Sequence, residues 1–214
     1  MPASARADGR LLPWQRALIV AVLLVPVAWW AIDRHDRMVN QHRLGAIASQ
    51  IAGRPVKVRC PGPLGRMMSV ADTNSGMVEL GRDGRPKDYA VLRKGPCAEL
   101  DALAEGRRAT ALACAARSGD NCGDDVQALA WGVDVLTHES FHLRGVIDEA
   151  VTECDSLQTM AWTATQLGAT PEQAQGLARL QLATGYPTMP SQYRTVDCAD
   201  GGAHDLRPDD PIWP

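Results

Sequence analysis

The segment Thr137–His142 reads Thr-His-Glu-Ser-Phe-His and places two histidines four residues apart. On an α-helix, residues four apart project from one face about one turn from each other, so both imidazoles can bind one metal ion. The glutamate between them is typical of a general base for a water that the metal activates. The pattern predicts a helix that carries Zn²⁺ ligands at His138 and His142 and a catalytic base at Glu139.

The residues before this motif favour the same helix, which we predict over 125–144. Apolar side chains recur there at helical spacing and predict a buried stripe, with the histidine pair on another face. These apolar residues are Val126, Leu129, Val133, Leu136 and Leu143. Gly145 follows at the position where a glycine commonly ends a helix.

A catalytic zinc site needs a third protein ligand and an open position for water. Three acids follow Gly145, and a second helix that starts near Asp148 and runs back antiparallel would carry Glu149 and Glu153 on one face. Glu149 can be the ligand, with Glu153 accepting a hydrogen bond from a ligating imidazole. Glu153 is the second candidate, and Asp148 is the third because its spacing fits H-E-x-x-H-x-x-G-x-x-D.

An uncharged block, residues 17–32, lies near the N-terminus and follows Arg6, Arg10 and Arg16. Its 16 residues would rise about 24 Å as a helix, and Trp29 and Trp30 at its end suit a membrane–water interface. We expect a membrane anchor within residues 1–33, a juxtamembrane helix over 34–53, and a domain over 54–214. The expected location is the cell membrane, crossed once, with the C-terminal domain outside the cytoplasm.

Six cysteines agree with an extracytoplasmic domain, because an even count there favours disulfides. Six cysteines allow 15 pairings, and the sequence does not choose among them. A net charge of −3 and 5% aromatic residues give no sign of a nucleic-acid partner.

The predicted fold class is α+β, with an N-terminal transmembrane helix and a small antiparallel sheet followed by a helical half. Alternating residues predict strands near 56–59, 77–80 and 89–92, and Asp83-Gly84 indicates a hairpin turn between the last two. Helices are predicted over 97–105, 107–118, 125–144, 148–167 and 171–184. The helical half therefore holds the histidine motif and the helix with the candidate glutamates.

Across residues 54–184, this order of elements resembles the gluzincin metallopeptidases in their minimal forms. The resemblance implies a zincin-like domain that hydrolyses peptide bonds in a peptide or protein substrate. It also implies that His138, His142 and Glu149 bind Zn²⁺, that Glu139 is the base and that Glu153 supports a ligating histidine. The segments THESFHLRG and DEAVTEC are similar to segments of membrane-anchored proteins of high-GC actinobacteria.

Two features depart from the gluzincin pattern. Only six residues separate His142 from Glu149, a shorter gap than in most gluzincins. The residue that stabilises the transition state has no motif here, and Tyr186, Tyr193 and His204 are its candidates. The metzincin alternative would use Asp148 as a ligand, with Met189 in a downstream methionine turn.

The alternative function is a non-catalytic, disulfide-stabilised extracytoplasmic interaction module that keeps a structural metal site. Zinc binding without hydrolysis would favour this module over the membrane-anchored peptidase.

Overall fold

The computed structural model describes residues 13–62, 75–117 and 122–214. The chain divides into two units, Met1–Val39 and Asn40–Pro214. The elements in chain order are α1 Pro13–Ala52, β1 Lys57–Arg59, β2 Gly76–Leu80, β3 Pro86–Leu92, α2 Lys94–Ala104, α3 Ala109–Ala116, α4 Asp124–Arg144, α5 Glu149–Gln166 and α6 Pro171–Leu180. A π-helical turn, Gln181–Gly185, and two 3₁₀ turns, Tyr186–Thr188 and Ser191–Tyr193, follow α6.

The predicted transmembrane helix is wrong. Within the described ranges, no helix combines the length and the apolar content that crossing a membrane requires. The uncharged block 17–32 lies in α1, but its 16 residues rise only about 24 Å, against a hydrocarbon core of about 30 Å. The helix then continues through the charged residues Arg34, Asp36 and Arg37, so the apolar stretch is not extended.

The predicted antiparallel sheet is also wrong, because the sheet is mixed. Its three described strands have the order β1-β3-β2. The hairpin pairing is antiparallel, with Met77 opposite Val91. The strand β1 instead pairs parallel with β3, with Val58 opposite Ala90, because it lies on the far side of β3 rather than beside β2. The observed fold of the described residues is thus a mixed α/β arrangement of six α-helices and three strands.

The core of the unit Asn40–Pro214 is built around α4. The stripe predicted from the sequence is buried there, and Leu129, Val133 and Leu136 have no exposed surface. The helix α4 packs against α2, α5 and the two hairpin strands. The last turns of α1 add Leu44 and Ala48 to this core. One face of α4 therefore holds the core together, and its other face is available for the histidine motif.

Three disulfides join the six cysteines and confirm the disulfides expected from the sequence: Cys60–Cys97, Cys114–Cys122 and Cys154–Cys198. The third bond fixes the C-terminal segment to α5. Gln158 adds two hydrogen bonds, because its Nε2 donates to His204 O at 2.8 Å and its Oε1 accepts from Leu206 N at 2.7 Å. The C-terminal segment is therefore fixed to α5 by one disulfide and by hydrogen bonds.

Candidate metal centre

A tight turn at Gly145 brings the start of α5 beside the histidine pair. Gly145 has φ of 110°, a conformation that side chains disfavour, and its N–H donates to His142 O at 2.9 Å. Only Val146 and Ile147 then precede Asp148, the N-cap of α5. The two helices therefore run back on each other, and Glu149 in the first turn of α5 faces the last turns of α4.

Two imidazoles and one carboxylate converge in this corner. Glu149 Oε2 lies 3.1 Å from His138 Nε2 and 3.2 Å from His142 Nε2. Candidate ligand atoms of the three residues all lie within 4.8 Å of one another. Ligand atoms around a tetrahedral Zn²⁺ lie about 3.3 Å apart, since its bonds to nitrogen and oxygen are about 2.0–2.1 Å long. Two imidazoles and a carboxylate are also a donor set that catalytic zinc sites use, so the residues fit this metal.

The other nitrogen of each ring already has a hydrogen-bond acceptor. His138 Nδ1 donates to Glu153 Oε2 at 2.8 Å, and His142 Nδ1 donates to Val146 O at 2.8 Å. With the protons on Nδ1, both Nε2 atoms present lone pairs to Glu149 Oε2, which also accepts. Three acceptors at this distance repel one another unless a cation lies between them.

In the metal-free protein a proton can take that place. Burial lowers the pKa of His138, but hydrogen bonds to Glu149 and Glu153 outweigh it and raise this pKa to about 10. The hydrogen bond from His138 in turn lowers the pKa of Glu149, against the smaller opposing effect of burial. A metal ion that binds here would therefore displace a proton, as is general for imidazole ligands.

Asp148, the third candidate ligand, has a structural role instead. Its Oδ1 accepts from the backbone N–H groups of Ala150 and Val151 at 2.9 and 3.0 Å. This is the hydrogen bonding of a helix N-cap. Asp148 is not part of the candidate ligand group, although the metzincin-like spacing predicts it there.

Glu153 lies next to a network of buried polar side chains that are joined by hydrogen bonds. Asp134, one turn before His138 on α4, accepts from Ser156 Oγ at 2.7 Å and from Gln181 Nε2 at 2.8 Å. Burial, followed by the negative charge of Glu153, raises the pKa of Asp134 well above its usual value. A protonated Asp134 can donate to the Glu153 carboxylate, whose Oε1 has no hydrogen-bond partner among the described residues. We interpret Asp134 as a neutral acid that holds Glu153 against His138.

The edge strand β2 covers Glu139. A Cβ atom at Gly76 would lie 2.5 Å from Glu139 Oε1, so any side chain there would displace this carboxylate from its present position. Glu139 Oε2 is buried and has no hydrogen-bond partner within the described part of the chain. Burial raises the pKa of Glu139 to about 7; His138 opposes the shift and Glu149 adds to it. A carboxyl group in this state can exchange a proton near neutral pH.

A cavity of about 560 Å³ opens on these residues. His138, His142, Glu139 and Glu149 line one part of it, and the C-terminal segment contributes Tyr193. The Tyr193 ring lies 5.8 Å from the His138 ring, between centroids. Burial and then the nearby carboxylates raise the pKa of Tyr193, so its hydroxyl keeps the proton that it can donate.

Among the three candidates for a transition-state residue, only Tyr193 lines this cavity. The Tyr186 hydroxyl is bonded to the backbone of Thr195 at 2.9 and 3.2 Å. His204 lies on the segment that Gln158 fixes to α5. Met189 also lines the cavity, but without Asp148 at the ligand group it does not support the metzincin alternative.

Two functional residues were missed from the sequence. Asp134 had a detectable signal, because it lies one helical turn before His138 as an acid between the apolar residues of the predicted stripe. Gly76 had none, since its role depends on a long-range approach of β2 to α4.

Comparison of the chain with protein-family models, with curated proteins and with solved structures finds no match. The likeness to gluzincins therefore rests on the motif and on the order of the elements that follow it.

Substitutions of the three acids separate the roles of ligand, support and cap. We expect Glu149→Ala to lose most zinc affinity, because it removes one of three ligands. Glu153→Ala should weaken zinc binding about 10–100-fold, since His138 stays but loses its acceptor. Asp148→Ala should keep zinc and cost about 1 kcal/mol of stability. Zinc titrations against a competing chelator at one pH measure all three, and loss of zinc in Asp148→Ala would contradict the assignment.

A pair of substitutions at Asp134 tests whether it is a neutral donor. Asp134→Asn retains an N–H group for Glu153 and an oxygen for Gln181, so zinc affinity should stay within a few-fold of wild type. Asp134→Leu removes both and should weaken zinc binding about tenfold. Equal losses in the two variants, measured with the same chelator, would show that an ionised Asp134 is required.

Proposed function

We propose that the unit Asn40–Pro214 is a zinc-dependent peptidase domain of gluzincin-like organisation. The observation that carries the proposal is the position of Glu139. Its carboxylate is buried, its Oε2 has no hydrogen-bond partner among the described residues, and it lines the same cavity as the three candidate ligands. A buried acid without a partner costs free energy, and use as a general base accounts for its presence.

The residues support a hydrolytic mechanism. When bound, Zn²⁺ supplies a Lewis acid that lowers the pKa of water towards about 7 and polarises the substrate carbonyl. Glu139 accepts the proton of the attacking water, whose oxygen bonds to the carbonyl carbon. Glu139 then delivers that proton to the amine nitrogen as the C–N bond breaks. The Tyr193 hydroxyl donates a hydrogen bond to the carbonyl oxygen as negative charge develops.

The ligand group favours catalysis over the alternative of a structural metal site. Structural zinc sites are closed by four protein ligands, whereas catalytic sites use three and keep one position open. The described residues supply three, His138, His142 and Glu149, and the cavity opens directly on them. A metal that only stabilises the fold would not require Glu139 or Tyr193 in that cavity.

We also propose that this unit works in an oxidising, extracytoplasmic compartment. Its six cysteines form three disulfides, and such bonds persist mainly outside the cytosol. The bond Cys154–Cys198 lies next to Glu153 and fixes the segment that carries Tyr193. A reducing compartment would therefore loosen one wall of the cavity.

Glu139→Gln tests the catalytic assignment. We expect the variant to keep stoichiometric zinc, because Glu139 is not a ligand, and to lose about 10²–10⁴-fold of its rate of peptide hydrolysis. The substrate is an unfolded protein, and zinc content is measured on the same sample. Undiminished hydrolysis by the zinc-loaded variant would contradict the role of Glu139.

The same variant should change how stability depends on pH in the metal-free protein. The unfolded state loses the Glu139 proton near pH 4.5, whereas the folded state keeps it until about pH 7. The free energy of unfolding should therefore fall as pH rises through this window, by at most about 3 kcal/mol. In Glu139→Gln this contribution should be missing. Denaturant unfolding of both proteins at pH 4.5 and 8 measures the difference. If the variant shows the same pH dependence as the wild type, the burial of an ionisable carboxyl group at position 139 is contradicted.

A further inference from the structure

Exposed apolar side chains gather at the cavity. Within the described residues of Asn40–Pro214, seven large apolar side chains are exposed: Met77, Leu80, Trp131, Ile147, Val196, Leu206 and Ile212. The first four line the cavity and form what we call the apolar rim. Leu80 is 52% exposed and Ile147 is 63% exposed. Exposed apolar groups that cluster around a binding cavity indicate an interaction site, whereas single ones do not.

The apolar rim comes from three separate elements. Met77 and Leu80 belong to β2, Trp131 belongs to α4, and Ile147 lies in the turn before α5. The indole nitrogen of Trp131 donates to Ser75 Oγ at 3.0 Å, which ties α4 to the start of β2. Elements that are distant in sequence thus present apolar surface to one space, beside the candidate metal ligands.

The charges of the residues that line the cavity indicate which kind of substrate side chain can bind at the apolar rim. Among the described residues that line it, no lysine or arginine occurs, and the acids are Asp134, Glu139, Glu149 and Glu153. Each of these acids belongs to the candidate metal centre or to the network behind it. An acidic side chain would find no lysine or arginine in this lining, so it would be desolvated without compensation, and the carboxylates that a basic side chain could reach belong to the candidate metal centre.

We propose that the apolar rim is a subsite that receives a large apolar side chain of an extended polypeptide. This inference rests on the proposed peptidase function and names its substrate class. Large apolar side chains are mostly buried in folded proteins. The substrates would therefore be unfolded proteins or flexible segments that expose such residues. The cavity volume of about 560 Å³ is in the range of sites that enclose part of a small ligand and suits one or two side chains.

Binding to the zinc-loaded Glu139→Gln protein tests the subsite without hydrolysis. The probes are two fluorescent alanine-based peptides of about ten residues, which differ only in a central pair of Leu or Asp residues. We expect the Leu peptide to bind at least about tenfold more tightly. Adding Leu80→Ser or Ile147→Ser should each weaken the Leu peptide about 5–10-fold, with zinc content unchanged. Val196→Ser is the matched control, since Val196 is exposed but does not line the cavity, and it should change nothing.

The outcomes separate this subsite from the peptidase function. Equal affinity for the two peptides, or rim variants that bind like the Val196→Ser control, would overturn the subsite. Cleavage of both peptides at equal rates by the zinc-loaded wild type would also overturn it, while leaving the peptidase intact. Selective binding of the Leu peptide without any cleavage by wild type would support the subsite and contradict the peptidase. Binding of phosphatidylcholine vesicles through Leu80, with no discrimination between peptides, would assign the rim to lipid instead.

Discussion

Three hydrogen-bond acceptors meet between α4 and α5, and they stay together only if a cation lies among them. The acceptors are Nε2 of His138, Nε2 of His142 and Oε2 of Glu149, with contacts of 3.1 and 3.2 Å to the carboxylate oxygen. The turn at Gly145 sets this arrangement, because it fixes the distance between the last turn of α4 and the first turn of α5. Without metal, a proton on His138 can bridge the imidazole and the Glu149 carboxylate. The distances between the three side chains also suit Zn²⁺.

The surrounding structure keeps these groups oriented. Behind His138 stand Glu153 and then Asp134, which Ser156 and Gln181 hold by hydrogen bonds of 2.7 and 2.8 Å. In such a buried polar network, losing one member leaves the groups bonded to it without partners, which costs free energy. The residue after Glu153 forms the disulfide to Cys198, so the C-terminal wall of the cavity is attached to the same helix turn. Ligand support and cavity shape therefore depend on one short part of α5.

Local features of the chain could be predicted well from the sequence. The helix of the histidine motif and its end at Gly145 follow from periodicity and from glycine's access to positive φ. The capping box of α6 at Thr170 and Gln173 follows from the same kind of short-range chemistry. The set of three acids near the histidines was also predictable, although spacing alone left Asp148, Glu149 and Glu153 as alternatives.

Features that depend on long-range packing could not be predicted. The parallel pairing of β1 with β3 is not encoded in the alternation of Val56–Arg59, which fits either strand direction. The approach of Gly76 to Glu139 and the position of Tyr193 at the cavity depend on contacts between distant segments. The membrane anchor was predicted from charge and apolar content, but 16 uncharged residues fall short of the length that spanning requires.

The central claim is that His138, His142 and Glu149 together bind one zinc ion. Diffraction from crystals grown with zinc, collected on both sides of the zinc absorption edge, tests it most directly. We predict one strong anomalous peak about 2.0–2.2 Å from His138 Nε2, from His142 Nε2 and from a Glu149 oxygen. A peak coordinated by Asp148, or crystals with zinc in the solution and no peak between α4 and α5, would contradict the account.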